Sequence, residues 1–91
     1  SYLSGGEGEV ALARKLIKIG KAATNDIVVS GFTVGSTAAT ISKRPNSYVL
    51  SYVSGFSKPK VNGKAVKQSV RLNEFDVIEI GSVRMQFFTK E

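Results

Sequence analysis

The 91-residue chain contains no cysteine and no histidine. Without cysteine there is no disulfide framework, no zinc–thiolate site and no thiol nucleophile. Without histidine the chain lacks the commonest general base and the usual imidazole metal ligand. Long apolar runs are also missing, because stretches such as Val10–Ala13 are far shorter than the ~20 residues of a membrane-spanning helix.

Seven carboxylates are the remaining candidates for acid–base or metal chemistry. None of them forms a helical i, i+3 or i, i+4 pair. Asp76 and Glu79 are three residues apart, but their context is strand-like, and odd spacing in a strand places side chains on opposite faces. We therefore predict that the chain is not an enzyme, that it has no catalytic residues and that it holds no metal or cofactor.

The net charge is +6, from thirteen basic and seven acidic residues. The basic residues are spread from Arg14 to Lys90, which is typical of a solvated surface. The densest group lies in a stretch rich in turn formers and comprises Lys58, Lys60, Lys64 and Lys67. Aromatic residues do not alternate with these lysines as a platform for stacking bases requires, which argues against a nucleic-acid partner.

Short runs of alternating or β-branched residues predict strands along the whole chain. Turn-forming residues separate them, and Asn62-Gly63 favours a type I′ hairpin. Many short strands in so few residues predict an all-β sandwich or small barrel, and periodicity alone does not choose between the two-sheet folds. The predicted strands are Lys15–Gly20, Ile27–Val29, Ala39–Ser42, Tyr48–Val53, Val70–Leu72, Val77–Gly81 and Val83–Thr89.

The order of the residues between these strands resembles the forkhead-associated (FHA) family. The family pattern runs Ile-Gly-Arg, Asn-Asp-Ile, Val-Ser-Arg-x-His-Ala, Val-Asn-Gly and Leu-x-x-Gly-Asp-x-Ile-x-Ile-Gly. The matching segments here are Ile19–Lys21, Asn25–Val29, Val34 with Ala39 and Ile41, Val61–Gly63, and Leu72–Gly81. The resemblance implies one domain over residues 1–91, an eleven-stranded, FHA/SMAD-like sandwich of two twisted, mainly antiparallel sheets. Tyr2-Leu3 would be the stub of a clipped first strand, so we expect a fragment of a longer protein.

FHA domains usually bind phosphothreonine peptides through loops at one end of the sandwich. The resemblance places the phosphate-site loops at Lys21, Asn25, Gly35, Ser36, Thr37, Ser57 and Lys58. The family's Arg, phosphate-binding Ser, second Arg, structural His and peptide-gripping Asn align with Lys21, Gly35, Ser36, Ala38 and Ser57. A hydrogen bond to a charged group contributes about 1.5–3 kcal/mol, so we expect ordinary phosphothreonine capture to be lost or severely weakened. Asn25 is expected to hold the loop backbone rather than the ligand.

Three functions remain open at this point. The leading one is phosphate-independent recognition of a protein or peptide, with Phe32 and Phe56 as interface anchors unless both tuck under their loops. The alternative is phosphothreonine recognition retained through Lys21 and Ser36 or Thr37 in a signalling protein. The third is electrostatic contact of the basic surface with nucleic acid or an anionic membrane. The family habit implies a cytoplasmic location, including the cytoplasmic portion of a larger membrane-associated protein. Membrane contact is then expected only through a part of that protein outside this sequence.

Overall fold

The computed structural model describes residues 2–5, 8–12 and 14–88. Within these residues the chain forms eleven strands and no helix. The strands are β1 (Tyr2–Gly5), β2 (Gly8–Ala11), β3 (Leu16–Gly20), β4 (Ile27–Val28), β5 (Ala39–Arg44), β6 (Ser47–Tyr52), β7 (Lys60–Val61), β8 (Lys64–Ala65), β9 (Ser69–Leu72), β10 (Val77–Ile80) and β11 (Val83–Phe88).

The strands form two sheets that pack face to face. The first sheet has the order β2-β1-β11-β10-β7-β8, and the second has the order β4-β3-β5-β6-β9. Neighbouring strands are antiparallel except β3 and β4, which pair in parallel through Ile19 opposite Ile27. This arrangement confirms the predicted sandwich of two mainly antiparallel sheets.

Alternation along the strands builds the core. In β3, Ile17 and Ile19 are buried while Lys18 between them is exposed, because successive side chains point to opposite faces. The first sheet contributes Leu3, Ile78, Ile80, Met85 and Phe87, and the second contributes Ile17, Ile19, Ile41, Leu50 and Leu72. The Tyr48 ring lies 5.3 Å from the Phe87 ring and joins the two sheets.

Among the described residues, two turns have a non-glycine residue with positive φ. Asn62 has φ 53° and Gly63 has φ 84°, as a type I′ hairpin requires, which confirms the prediction for this pair. Phe75 has φ 67°, an unusual value for a bulky residue, and it stands where the family pattern has glycine. Its side chain is largely exposed, so the ring contributes little to the core.

Sequence reasoning missed the β1–β2 hairpin, because the glycine-rich stretch between these strands carries no alternating pattern. Tyr2-Leu3 does begin a strand, which pairs with both β11 and β2. The last predicted strand ends at Phe88, and Thr89 lies outside the described residues. In the part of the chain that the structure describes, no helix is long and apolar enough to span a bilayer.

Candidate functional site

Three loops meet at one end of the sandwich, and we call them the apical loops. They comprise residues 21–26 between β3 and β4, 29–38 between β4 and β5, and 53–59 between β6 and β7. The first and second are joined by backbone hydrogen bonds from Lys21 N to Gly35 O at 3.0 Å and from Ala22 N to Ser36 O at 3.1 Å. The phosphate-site positions predicted on these two loops are therefore neighbours in space.

The second and third loops are joined even more extensively. Val34 pairs with Gly55 in an isolated β-bridge, and the amides of Phe56 and Ser57 both donate to the Thr33 carbonyl, at 3.0 and 3.1 Å. The Thr33 and Ser57 hydroxyls share a further hydrogen bond. These contacts hold the third loop rigidly against the second.

Asn25 connects the first loop to the second through its side chain. Its Nδ2 donates to Ala22 O at 2.9 Å and to Ser36 O, and its Oδ1 accepts a hydrogen bond from Thr37 Oγ1 at 3.0 Å. The residue is only 8% exposed. Its amide is thus occupied by contacts within the loops, as the sequence interpretation expected for this position.

Gly35 packs directly on the backbone of the third loop. A Cβ atom at this position would lie 2.6 Å from Ser54 Oγ, 2.7 Å from Ser54 O and 2.8 Å from Ser54 C. Contacts below 3.0 Å are not tolerated by real side chains, so one of the segments would have to move. As placed, the two loops therefore fit glycine at position 35 and not a residue with a side chain.

The polar side chains at this end differ in their accessibility. Lys58 is exposed, and its Nζ lies 5.5 Å from the centre of the Tyr52 ring, within the range of a cation–π contact. The Tyr52 hydroxyl in turn donates to Gly55 O at 2.6 Å. Among the other predicted positions, Lys21 and Ser36 are exposed, while Gly35, Thr37 and Ser57 are half-buried.

Phe32 and Phe56 project into solvent from the second and third loops. They are 99% and 92% exposed, so neither ring tucks under its loop. A cleft of about 380 Å³ opens beside Phe56 and is also lined by Ser57, Lys58, Lys60, Ala65, Glu79 and Gly81. This end of the molecule thus presents two apolar rings next to several lysines.

An ion pair lies at the base of the first loop. Asp26 Oδ1 accepts from Arg14 Nη1 at 2.8 Å, and Asp26 Oδ2 accepts from the Lys18 backbone amide at 2.9 Å. The Lys18 N–H, together with the charge and hydrogen bond of Arg14, holds the pKa of Asp26 below its usual value. Asp26 therefore stays ionised and paired with Arg14 at neutral pH. No group of three or more acidic residues arranged to hold a metal occurs in residues 2–5, 8–12 and 14–88.

A family model described as "Inner membrane component of T3SS, cytoplasmic domain" matches residues 4–91. The chain belongs to this family, whose domain is of the FHA type. The match covers nearly the whole chain and confirms the FHA resemblance, and domains of this type are protein-interaction modules.

Solved structures agree with this assignment of the FHA domain. EmbR of Mycobacterium tuberculosis, solved in complex with a low-affinity phosphopeptide, is similar over 96% of this chain at 26% identity, with a TM-score of 0.89. The match spans only 24% of the EmbR chain. The FHA domain of the CT664 protein from Chlamydia trachomatis matches at 18% identity and a TM-score of 0.88, covering 99% of this chain and 97% of its own.

A third FHA domain, from a study of phosphothreonine-dependent FHA interactions, has 19% identity and a TM-score of 0.88. It covers 99% of this chain and 96% of its own. Identities this low show the fold alone. No curated protein matches the chain significantly.

The structure of this FHA domain adds three residues that sequence reasoning missed. Tyr52 supports Lys58, Thr33 holds Ser57, and the Ser54 hydroxyl donates to Thr37 O at 2.8 Å. Tyr52 looks like an ordinary strand residue in the sequence, and Thr33 and Ser54 look like turn formers. Their contacts become visible only when the apical loops are brought together in the folded domain.

Proposed function

We propose that this FHA domain recognises a partner protein through its apical loops without requiring phosphothreonine. The observation that carries the proposal is the packing of Gly35 against Ser54, because it leaves no space for a hydroxyl aimed at a phosphate. Loss of that serine, of an arginine fork at Lys21 and of an amide at Ser57 removes about 4–6 kcal/mol of charge-assisted hydrogen bonding. Since each ~1.4 kcal/mol is a tenfold change, a micromolar phosphopeptide site would weaken to millimolar or worse.

Phe32 and Phe56 supply the contacts that replace the phosphate. Fully burying a phenylalanine side chain contributes about 1.5–3 kcal/mol, so two rings provide roughly as much free energy as the lost hydrogen bonds. The loops that carry them are already fixed by hydrogen bonds to one another. A partner therefore meets a surface that needs little further ordering, which lowers the cost of binding.

The phosphate requirement is tested by titrating the isotope-labelled domain with paired pools of phosphothreonine and unmodified peptides. We expect either no shifts or equal shifts of the apical amides with the two pools. Saturable shifts at Lys21, Ser36 and Ser57 with the phosphorylated pool alone would contradict the proposal.

The role of the aromatic rings is tested by substitution once a partner is bound in a pull-down. We expect Phe32→Ser and Phe56→Ser each to weaken binding at least tenfold, since each ring buries a large apolar area. Phe75→Ser is the matched control, because Phe75 is also exposed but lies in the turn between β9 and β10. Equal loss in all three variants would mean that the effect is not specific to the apical loops.

The second candidate function is weak phosphothreonine recognition through Lys21 and Ser36 or Thr37. It is supported by the exposure of Lys21 and Ser36 on loops joined by backbone hydrogen bonds. In that case Lys21→Glu abolishes binding of the phosphorylated pool, whereas phosphate-independent binding depends on Phe32 and Phe56 instead.

The family description supports a location for this module. We propose that residues 1–91 form one cytoplasmic domain of a larger membrane-associated protein, with a membrane anchor elsewhere in that protein. Its partners are proteins or peptides, and it has no catalytic activity, metal or cofactor of its own. Nucleic acid is not expected among its partners.

A further inference from the structure

The outer surface of the second sheet carries positive charge and no described carboxylate. Alternation directs one set of side chains of β3, β4, β5, β6 and β9 away from the core. We call this set the basic face. It has three cationic residues (Lys18, Arg44, Arg71), five hydroxyl residues (Thr40, Ser42, Ser47, Ser51, Ser69) and three aliphatic residues (Leu16, Val28, Val49).

The outer surface of the first sheet differs in its charge. There, Glu79 lies directly opposite Arg84 on β11 and opposite Lys60 on β7. Opposite charges at cross-strand positions offset each other. Two described carboxylates lie beside the basic face: Asp26, which is paired with Arg14, and Glu74, which lines one cleft with Arg44 and Arg71. Among the outward-facing strand residues, positive charge is therefore in excess on the second sheet.

The basic face is broad, and its side chains are mostly short. One row across the sheet runs Leu16, Ser42, Val49 and Arg71, and the next runs Lys18, Thr40, Ser51 and Ser69. Because neighbouring strands lie about 4.8 Å apart, each row spans about 14 Å. The cations lie around a patch of small hydroxyl and aliphatic side chains.

The composition of this face distinguishes it from the apical loops. The cores of protein–protein interfaces are enriched in aromatic residues and depleted in lysine and serine. The apical loops present Phe32 and Phe56, whereas both tyrosines of β6 belong to the inward-facing set: Tyr48 packs on Phe87, and Tyr52 pairs with the buried Ala39. A face of cations and hydroxyls suits a diffuse anionic surface better than a shaped protein pocket.

We infer that the basic face docks on the anionic lipid headgroups of the membrane that bears the parent protein. The inference rests on the proposed function in one respect, the location of the domain beside that membrane. A cation near an anionic bilayer strengthens binding about fivefold, so three of them give about a hundredfold. Such weak attraction is sufficient for a tethered domain, because tethering raises the effective concentration of the surface. This contact differs from the sequence expectation that only other parts of the protein meet the membrane.

The test uses the absence of cysteine from the chain. A cysteine added through a flexible linker after Glu91 attaches the labelled domain to a maleimide lipid in nanodiscs. The discs contain phosphatidylcholine alone or an equimolar mixture with phosphatidylglycerol, each with a gadolinium-bearing lipid. We expect broadening of amides in β3, β5, β6 and β9, but not in β10 and β11, and only in the anionic discs. Added salt is expected to remove this difference, because it shortens the Debye length below about 10 Å.

Two triple variants separate the position of the charges from their number. Lys18→Ser, Arg44→Ser and Arg71→Ser together remove the cations of the basic face. Lys64→Ser, Lys67→Ser and Arg84→Ser remove three exposed cations elsewhere and leave the same net charge. In the first variant we expect the ratio of docked to undocked domain on the anionic discs to fall about a hundredfold. In the second variant we expect that ratio to stay at the wild-type value. Amide spectra in solution show whether each variant is folded, and the wild-type broadening pattern tests the inference independently of them.

Three results would overturn the inference: uniform broadening of both sheets, equal loss in the two variants, or the same pattern in neutral discs. A polyglutamate peptide could instead shift the amides of the basic face while the anionic discs produce no docking. That result would overturn the inference and indicate that the basic face binds an acidic protein. The artificial anchor makes the result independent of the natural location. The apical-loop amides report the proposed function separately, so the two failures are distinguishable.

Discussion

Replacing Gly35 with serine restores the residue type that FHA domains use to bind phosphate, yet we expect it not to restore binding. The new Cβ would lie 2.7 Å from the Ser54 carbonyl oxygen and 2.8 Å from its carbon. Both are backbone atoms, which cannot rotate away as a side chain does. Gly55 is just as close on the other side, since a Cβ there would lie 2.5 Å from Gly35 N.

The size of the effect follows from this geometry. Ordinary contact begins at 3.4 Å, so the two segments must separate by about 0.7 Å. That movement disturbs the bridge between Val34 and Gly55 and the amide contacts to Thr33. Overpacking of this kind typically costs about 1–3 kcal/mol. For a domain of this length each kcal/mol lowers Tm by about 4–8 °C, so a cost in the middle of that range, about 2 kcal/mol, gives an expected decrease of roughly 8–16 °C for Gly35→Ser.

The measurements are urea and thermal unfolding, together with titration by a phosphothreonine peptide pool. Adding Ser54→Gly removes the contact with the Ser54 hydroxyl but leaves the two backbone contacts, so we expect only partial recovery of stability. Full recovery would show that the flexible hydroxyl, and not the backbone, excludes the serine. A Gly35→Ser variant of wild-type stability that binds the phosphorylated pool at micromolar concentration would refute the steric argument altogether.

Two further substitutions test the turns and loops. Asn25→Ala removes two donated hydrogen bonds and the one accepted from Thr37, so we expect the free energy of unfolding to fall by about 2–4 kcal/mol; an unchanged urea midpoint would show that these contacts contribute nothing. Phe75→Gly relieves the strain of a left-handed backbone at a bulky residue, which stabilises the fold by about 1–2 kcal/mol. Glycine also makes the unfolded chain more flexible, and this offsets about 0.5–1 kcal/mol of that gain. We expect Phe75→Gly to raise Tm by a few degrees, and a decrease would indicate that the exposed ring stabilises the turn.

Local patterns were sufficient for most of the secondary structure because they act over a few residues. The alternation of Ile17, Lys18 and Ile19 identifies β3 as a half-buried strand. Asn62-Gly63 identifies the turn between β7 and β8 from the φ values those residues tolerate. The β1–β2 hairpin was missed because its glycine-rich sequence carries no alternating pattern, and β1 also pairs with β11, some eighty residues further along the chain. Sequence order also placed the predicted phosphate-site residues in three loops, but it did not show how the loops touch.

The sequence alone therefore determined that the chain lacks histidine and cysteine, predicted an all-β fold and carried the resemblance to FHA domains. Tertiary structure decided whether Phe32 and Phe56 are covered, why position 35 has no room for a side chain, and that Tyr52 lies beneath Lys58. It also decided that the outward-facing strand residues of one sheet carry an excess of positive charge. The physical reason is that strand patterns depend on near neighbours, whereas exposure, close packing and charge balance depend on segments brought together only when the sandwich closes.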